Sequence, residues 1–450
     1  MQRLAKLADA YPNARLAAVF AVWALPWLLA MAWLTPPWQN PDEPLHFARI
    51  VQIAHGGLLG YRDWGTSGGQ SDRAIYRSYA GVQHAAMRPD QRLSLQDLAK
   101  SGSIGWSRGT EYTSFPNTAQ YPPFFYLPAA ASYWAGRAAN LSINHTLLLA
   151  RMLNVLLFTA MAAATLAIAR RTRLPLLAIL MLPTTLSLAC TAGQDSLMQG
   201  ATLLAVALID RVACEQRSAT RREAALATLL LACVAMARPP YAGFLLALGL
   251  LAPSPWRPLK RLALPAAGIV LAWCLLVAWH TTVRLMDSDA HTQLALLIAH
   301  PAAVPAIVIG TFQKFTGRWW REMIGVLGWT DTPLPRPYIF CASVTLVLAF
   351  LSLPGPRPRH PWIAPLGIAF VVAAILALQY VTWTWPGQPV VTGILGRYFT
   401  TPTMVLALCM PSLGRAQNFT RPAAISALLA LGIITPAITL HTIILRYYVQ

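Results

Sequence analysis

Negative charge is what this chain has least of. Sixteen Asp and Glu stand against 35 Lys and Arg in 450 residues, and charged positions of both signs make up only 11%. Soluble domains carry about 25%, so the chain cannot present an ordinary water-facing surface along its whole length. GxGxxG, the Walker loop, HExxH and GxSxG are also missing, which leaves a nucleotide-driven pump, a zincin protease and an α/β-hydrolase without support. The six cysteines (Cys190, Cys214, Cys233, Cys274, Cys341, Cys409) lie in or beside apolar runs without CxxC spacing. They read as small buried hydrophobes, neither a disulfide framework nor a zinc site. No fixed-period repeat runs through the chain, and no pair of broken helices recurs in matched halves as in many transporters.

What is present is apolar: 56% of positions are hydrophobic. Runs near the length of about 20 residues needed to cross a bilayer recur from end to end, many closed by Arg or Pro. The first, Leu16 to Leu34, has no small-residue cleavage motif after it and is expected to be a retained helix. The net charge of +19 is gathered in short clusters between apolar runs: Arg3/Lys6/Arg15, Arg170/Arg171/Arg173, Arg211/Arg217/Arg221/Arg222, Arg257/Lys260/Arg261, Arg357/Arg359 and Arg415/Arg421. This is the pattern of cytoplasmic loops facing anionic lipid, not a basic stripe interleaved with aromatics, so membrane lipids are expected partners and nucleic acid is not.

Placing every basic cluster on the cytoplasmic side predicts an all-α polytopic membrane protein with about eleven transmembrane helices. The spans fall at 16–34, 147–169, 174–192, 196–210, 223–238, 241–253, 263–283, 338–354, 361–383, 398–413 and 423–444, with the N-terminus inside and the C-terminus outside. The chain reads as a single integral membrane domain, with two large outer loops, 36–146 and 284–337, carrying amphipathic and interfacial helices. "YPPFFYLPAAASYWAGRAA" (121–139) suits a helix lying at the outer interface; a true crossing there would put Arg170, Arg171 and Arg173 outside unless a re-entrant segment compensates. Only Asp9, Asp210, Glu215 and Glu223 then fall on the cytoplasmic side, so any carboxylate chemistry faces out.

Candidate site residues follow from that distribution. In "NPDEPLHFARI" (40–50), Asn40 suits an N-cap, Pro41 the first helical position and Glu43 the third, an Asn-x-x-Glu variant of the capping box opening a helix that ends at Gly56–Gly57. Helix starting accounts for one acid; it does not account for Asp42, Glu43, His46 and Arg49 sharing a face. Structural and functional readings both fit. Asp195 in "TAGQDSLMQG" lies at the membrane edge, where an ionisable group is expensive, although it also suits an N-cap. In "FQKFTGRWWREMIGVLGWTDTPLP", Lys314, Arg318 and Arg321 beside Trp319, Trp320 and Trp329 fit an interfacial helix and equally a patch under a lipid-linked phosphate. Asp331 also fits a turn. Arg238 in "ARPPY" and Arg397 in "GILGRYFTTP" fit interfacial anchors or bidentate phosphate contacts.

Taken in order, "NPDEPLHFARIVQIAHGG", "YPPFFYLPAA", "TAGQDSLMQG", "ARPPY", "GWTDTPLP" and "GILGRYFTTP" resemble the bacterial membrane proteins catalogued as domain of unknown function 2142. That family is placed by similarity among the GT-C-type glycosyltransferases, multispan enzymes that take a sugar from a polyprenyl-phosphate carrier at the outer side of the membrane. The resemblance implies a GT-C-like fold in the bacterial inner membrane, with Asp42 or Glu43 as catalytic base or metal contact and Asp195 as a second acid orienting acceptor or metal. It further implies a polyprenyl-phosphate sugar donor, a periplasmic cell-envelope glycan or lipid-linked acceptor, and room for a divalent cation such as Mg or Mn. The lone acid in "QDS" weakens the case for a tightly held metal. His46, Arg49, Tyr121, Arg238, Lys314, Arg318, Asp331, Arg397 and Tyr398 form the expected substrate-binding set. The rival expectations are a flippase of lipid-linked saccharides, which needs polar residues within several spans, and a non-catalytic assembly protein.

Overall fold

The computed structural model describes residues 14–251, 256–281, 290–355 and 362–449. Arg3, Lys6, Asp9, Arg357 and Arg359 lie outside the described residues. Helix α1 (Ala14–Leu34) is followed by α2 (Glu43–Ala54) and a loop region holding three strands, β1 (Tyr61–Asp63), β2 (Thr66–Ser71) and β3 (Glu111–Ser114), with short helices α3 (Ala74–Ala80), α4 (Leu95–Gly102) and α5 (Pro116–Ala119). The strands form one antiparallel sheet in the order β1-β2-β3, with Asp63 opposite Thr66 and Gly68 opposite Ser114. The sheet packs on α2 and is tied to it by Ser71 Oγ donating to the Ala48 carbonyl at 2.9 Å.

The 121–139 segment is a twelve-residue helix, α6 (Leu127–Ala138), packed along α2 and α7 (Ile143–Ile168). Next come α8 (Arg173–Leu180), α9 (Pro183–Ala189), α10 (Asp195–Cys214), α11 (Arg221–Ala237), α12 (Ala242–Leu251) and α13 (Arg257–His280). α14 (Ala290–Ala299) and α15 (Val304–Gly325) lead into the two-stranded ribbon β4 (Val326–Leu327) and β5 (Thr332–Pro333). α16 (Arg336–Leu351), α17 (Ile363–Thr382), α18 (Thr400–Leu406) and α19 (Gln417–Tyr447) complete the chain.

Among the described residues six helices are long and apolar enough to cross a bilayer: α1, α7, α10, α13, α17 and α19, the last counted from Gly414. A seventh crossing arises if α14 and α15, bent at 93°, form one broken span or re-entrant loop; that apolar pair lies in a stretch expected to be an outer loop. The eleven expected segments all contain helix, but several are shorter than a full crossing. Segment 174–192 breaks between α8 and α9 because Pro183 has no N–H to continue the ladder. Segment 398–413 supplies only the seven residues of α18.

The helices alternate so that charge separates along the bundle. At one end Glu215 meets Arg170, Arg211 and Arg217 at 3.2, 3.0 and 2.7 Å, and Glu223 meets Arg217 at 2.6 Å. There Asp210 accepts the Arg170 and Arg171 backbone N–H at 2.7 and 2.9 Å, bracing the α7–α8 turn. At the other end lie the α2 start, the three-stranded sheet, the β4–β5 ribbon and the C-terminus of α19. The core between them is a continuous apolar cluster to which α1, α7, α9 and α16 all contribute.

Candidate active site

The chain leaves α1 at Leu34 and enters α2 through Asp42, whose φ of 56° and ψ of 15° are left-handed, a region Asp tolerates better than most residues. The expected capping box does not form. The helix starts at Glu43, with Pro44 in its first turn where no N–H donor is required, and Asp42, not Asn40, is the flanking residue. The cap fails because the Glu43 carboxylate is already held. Arg151 Nε donates to its Oε1 at 2.8 Å and Nη2 to its Oε2, while Asn40 Nδ2 and the Ala192 N–H add 3.1 and 3.3 Å contacts. Arg151 also donates to the Ala32, Thr35 and Pro36 carbonyls, so this buried pair bolts the end of α1 and the start of α2 to α7.

Asp42 turns the other way. Its Oδ2 lies 3.3 Å from Arg397 Nη2; Arg397 Nε is 3.8 Å from Asp195 Oδ2; and Arg238 Nη2 reaches both Asp195 oxygens at 2.8 and 3.1 Å. Two carboxylates and two guanidiniums thus alternate in a row assembled from α2, α10, the turn before α12 and the turn before α18. Asp42 is the most exposed of the four, at 28% of its side chain, against 8% for Asp195. The Nε atoms of Arg238 and Arg397 are buried without a hydrogen-bond partner, leaving the row with donor capacity in hand.

His46, one helical turn after Asp42, meets Tyr126 Oη through Nδ1 at 2.7 Å and stacks on Tyr121 with ring centres 6.2 Å apart. Burial pushes its pKa below the ordinary imidazole value; Asp42 and Asp195 pull it up, Arg397 and Arg238 push it further down. Asp42, His46, Tyr121, Arg238, Arg397 and Tyr398 all line one cavity of about 410 Å³. The Arg238 guanidinium lies over the Tyr398 ring, 4.5 Å from its centre. The cavity continues between α13, through Trp273, Cys274 and Val277, and α17, through Ile375, Leu378 and Gln379. Both helices pack on α12. A polar, charge-alternating head therefore opens into an apolar corridor.

The 3₁₀ turn Gly396–Phe399 carries Arg397. Gly396 has no room for a side chain: a Cβ there would lie 2.1 Å from the Trp319 carbonyl oxygen of α15. The Gly396 N–H donates to Glu322 Oε2 at 2.7 Å, and Trp319 Nε1 donates to the Ile394 carbonyl at 2.9 Å.

Besides Glu43, held by Arg151, four expected site residues lie away from the cavity. Arg49 is buried and spends its N–H groups on the Gly57, Leu58 and Tyr121 carbonyls, holding the loop after α2 instead of facing the cavity. Arg318 pairs with Glu322 at 2.6 Å, one turn along α15. Asp331 accepts from Arg446 at 2.8 Å, and Arg446 also grips the Ala85 and Gln91 carbonyls, so Asp331 anchors the end of α19. Lys314 lies over the Phe315 ring and does not line the cavity. Three further residues have structural consequences for the site: Tyr126, Glu322 and Arg151. Tyr126 and Glu322 carry no sequence signal beyond their type, but Arg151, an arginine inside an apolar run, is the intramembrane ionisable group that flags itself.

A divalent cation does not fit this donor set. Asp42 and Asp195 each face a guanidinium, His46 Nδ1 is spent on Tyr126, and among the described residues no three His, Cys, Asp or Glu side chains group as metal ligands. The positions a cation would take beside the carboxylates are filled by Arg238 and Arg397.

A model of the family described as "predicted membrane protein", domain of unknown function 2142, matches residues 25–407, and the chain belongs to that family. The match runs from within α1 to the end of α18 and takes in every residue of the charged row. None of the curated proteins matches the chain.

Proposed function

We propose that this member of the family is a GT-C-like glycosyltransferase of the bacterial inner membrane, crossing it about eleven times with its cavity facing the periplasm. It moves a sugar from a polyprenyl-phosphate carrier to a hydroxyl of a periplasmic cell-envelope glycan or lipid-linked acceptor. The observation that carries this reading is the form of the cavity: Asp42 and two arginines at the head of an apolar corridor between α13 and α17. That form matches an amphiphile with an anionic phosphate and a hydrocarbon tail.

In this mechanism Asp42 accepts the acceptor hydroxyl proton as the new C–O bond forms at the anomeric carbon. The bond from that carbon to the phosphate oxygen breaks, and the lipid phosphate leaves with the electron pair. Arg397 and Arg238 neutralise the charge it gains, through guanidinium forks suited to phosphate. Asp195 orients both arginines from behind, a positioning role. Arg397 holds Asp42 in the free protein; an arriving phosphate competes for that guanidinium and releases the carboxylate to act as base. Glu43, fully engaged by Arg151, takes no part in proton transfer.

The test pairs two measurements on Asp42→Asn protein that melts like wild type. Loss of surface-glycan modification with undecaprenyl-phosphate binding retained is the expected result; full retention of the modification ends the assignment. The flippase reading draws support from polar side chains buried at the start of α10 and on α7, Gln194 just before α10, Ser196 and Gln199 on it and Thr159 on α7, each with an atom that lacks a hydrogen-bond partner. A flippase should keep its activity when Asp42 becomes Asn.

A further inference from the structure

The phosphate head and the apolar corridor account for the charged row and for the α13 and α17 walls, but not for the rest of the cavity lining. Met87, Asn117, Gln120, Trp329 and Thr330 also face this space, and none of the five is charged. They come from the loop after α3, from α5 and its end, and from the β4–β5 turn. We propose that these residues form a binding vestibule for a neutral saccharide, placing an acceptor hydroxyl beside Asp42. The reason for that placement rests on the transferase reading above; the binding of a saccharide does not.

Three observations carry the assignment. First, the lining is chemically mixed in the way a sugar requires: an indole and a thioether for the C–H face of a pyranose, two carboxamides and a hydroxyl for its rim. A second anion would need a cation there, and a second apolar chain would leave the carboxamides unpaired. Among the described residues neither the Asn117 nor the Gln120 carboxamide makes a hydrogen bond, so both are available.

Second, the indole is held ready. Trp329 Nε1 donates to the Trp38 carbonyl at 3.1 Å, and its ring lies 6.5 Å from that of Tyr79 with the planes 26° apart. A fixed aromatic platform binds with less loss of side-chain freedom than a mobile one. The ribbon that presents it is closed by the Val326–Pro333 and Leu327–Thr332 pairs.

Third, backbone strain collects here. Seven described non-glycine residues have positive φ, and three of them, Asp42 (56°), Met87 (59°) and Thr330 (63°), line this cavity; a fourth, Trp38 (68°), supplies the carbonyl that fixes Trp329. Thr330 is β-branched, for which the left-handed region is an outlier. Strained backbone concentrates at binding and catalytic sites because the surrounding fold must over-determine it.

The experiment uses the full chain in lipid nanodiscs. Saturation-transfer NMR is recorded with maltose, lactose and N,N′-diacetylchitobiose, and undecaprenyl-phosphate binding is followed in parallel by native mass spectrometry. Wild type should transfer saturation to at least one of the three sugars. The Asn117→Ala/Gln120→Ala pair, and separately Trp329→Phe, should weaken that binding by about tenfold, the equivalent of one or two lost hydrogen bonds. Both should leave lipid-phosphate binding unchanged, while Arg397→Ala does the reverse. No transfer to any of the three sugars, or transfer that survives the double substitution, overturns the vestibule. Sugar binding that depends on Asn117 and Gln120 in a protein that ignores undecaprenyl phosphate upholds the vestibule and fails the transferase reading alone.

Discussion

One peptide bond joins Asp42 to Glu43, and the left-handed backbone at Asp42 sends the two carboxylates to opposite sides of the start of α2. Glu43 is fully buried against Arg151, so Glu43→Gln leaves a guanidinium in the core without its counter-charge. Removing one partner of such a pair costs about 3–5 kcal/mol, and thermal melting should show a large drop. Asp42 is partly exposed and pairs with one arginine, so Asp42→Asn should stay within about 1 kcal/mol of wild type. Comparable melting of the two variants would contradict this division. His46 gives a second prediction. Burial lowers its pKa, so the folded state resists a proton that the unfolded chain takes up near pH 6.5. Its neutral form costs nothing above that value and costs stability as pH falls below it. The melting temperature of wild type should therefore drop between pH 7.5 and 5.5 by more than that of His46→Gln, which can still bond Tyr126; equal drops would remove the imidazole from the account. The acid pair was legible as a feature of the sequence because carboxylates are rare there. Which acid faces the cavity was not, because the answer lies in Arg151, 108 residues further on.

At the scale of elements, the site depends on how closely α15 approaches the turn carrying Arg397. Gly396 packs against the Trp319 carbonyl and Glu322 Cβ, where a methyl group would overlap backbone. Gly396→Ala must push the turn away and take Arg397 with it, so undecaprenyl-phosphate binding and melting temperature should both fall. Gly268, inside α13 with nothing within 4 Å of a built Cβ, is the matched control. Replacing a helix-interior glycine by Ala there should stabilise by about 0.5–1 kcal/mol. If Gly396→Ala binds lipid phosphate as wild type does, the close approach has no part in holding Arg397. Helices were readable from apolar runs, and "GILGRYFTTP" was readable as a candidate site because an Arg interrupts a span boundary. Unreadable were the contacts across 74 residues that let Glu322 hold Gly396, and the 93° bend that turns an expected loop into an apolar helix pair. Local pattern specifies a helix; the partner across the bundle decides how its end is used.

For the whole molecule, the separation of charge along the bundle makes orientation the quantity on which the proposed chemistry turns. At one end the described acids Asp210, Glu215 and Glu223 are all engaged by the Arg-rich turns, so the local excess stays positive; at the other, Asp42 shares a cavity with Arg238 and Arg397, and Asp195 pairs with both arginines from behind. Under the transferase proposal, the positive-inside bias would put the cavity on the side without nucleotide sugars, where a lipid-borne donor would be the source of an activated glycosyl group. Two cysteine positions test this directly. Cys214 is exposed at the basic end, and Leu95, 85% exposed, starts α4 at the cavity end. In a background keeping only one thiol at a time, a membrane-impermeant maleimide applied to spheroplasts should label Leu95→Cys at once, and Cys214 only after the inner membrane is opened. Immediate labelling of Cys214 with protection of Leu95→Cys would turn the cavity toward the cytoplasm. The same residues would then face a compartment where donors are nucleotide-linked, and a cavity whose arginines are already balanced by two carboxylates offers poor charge compensation for a nucleotide diphosphate.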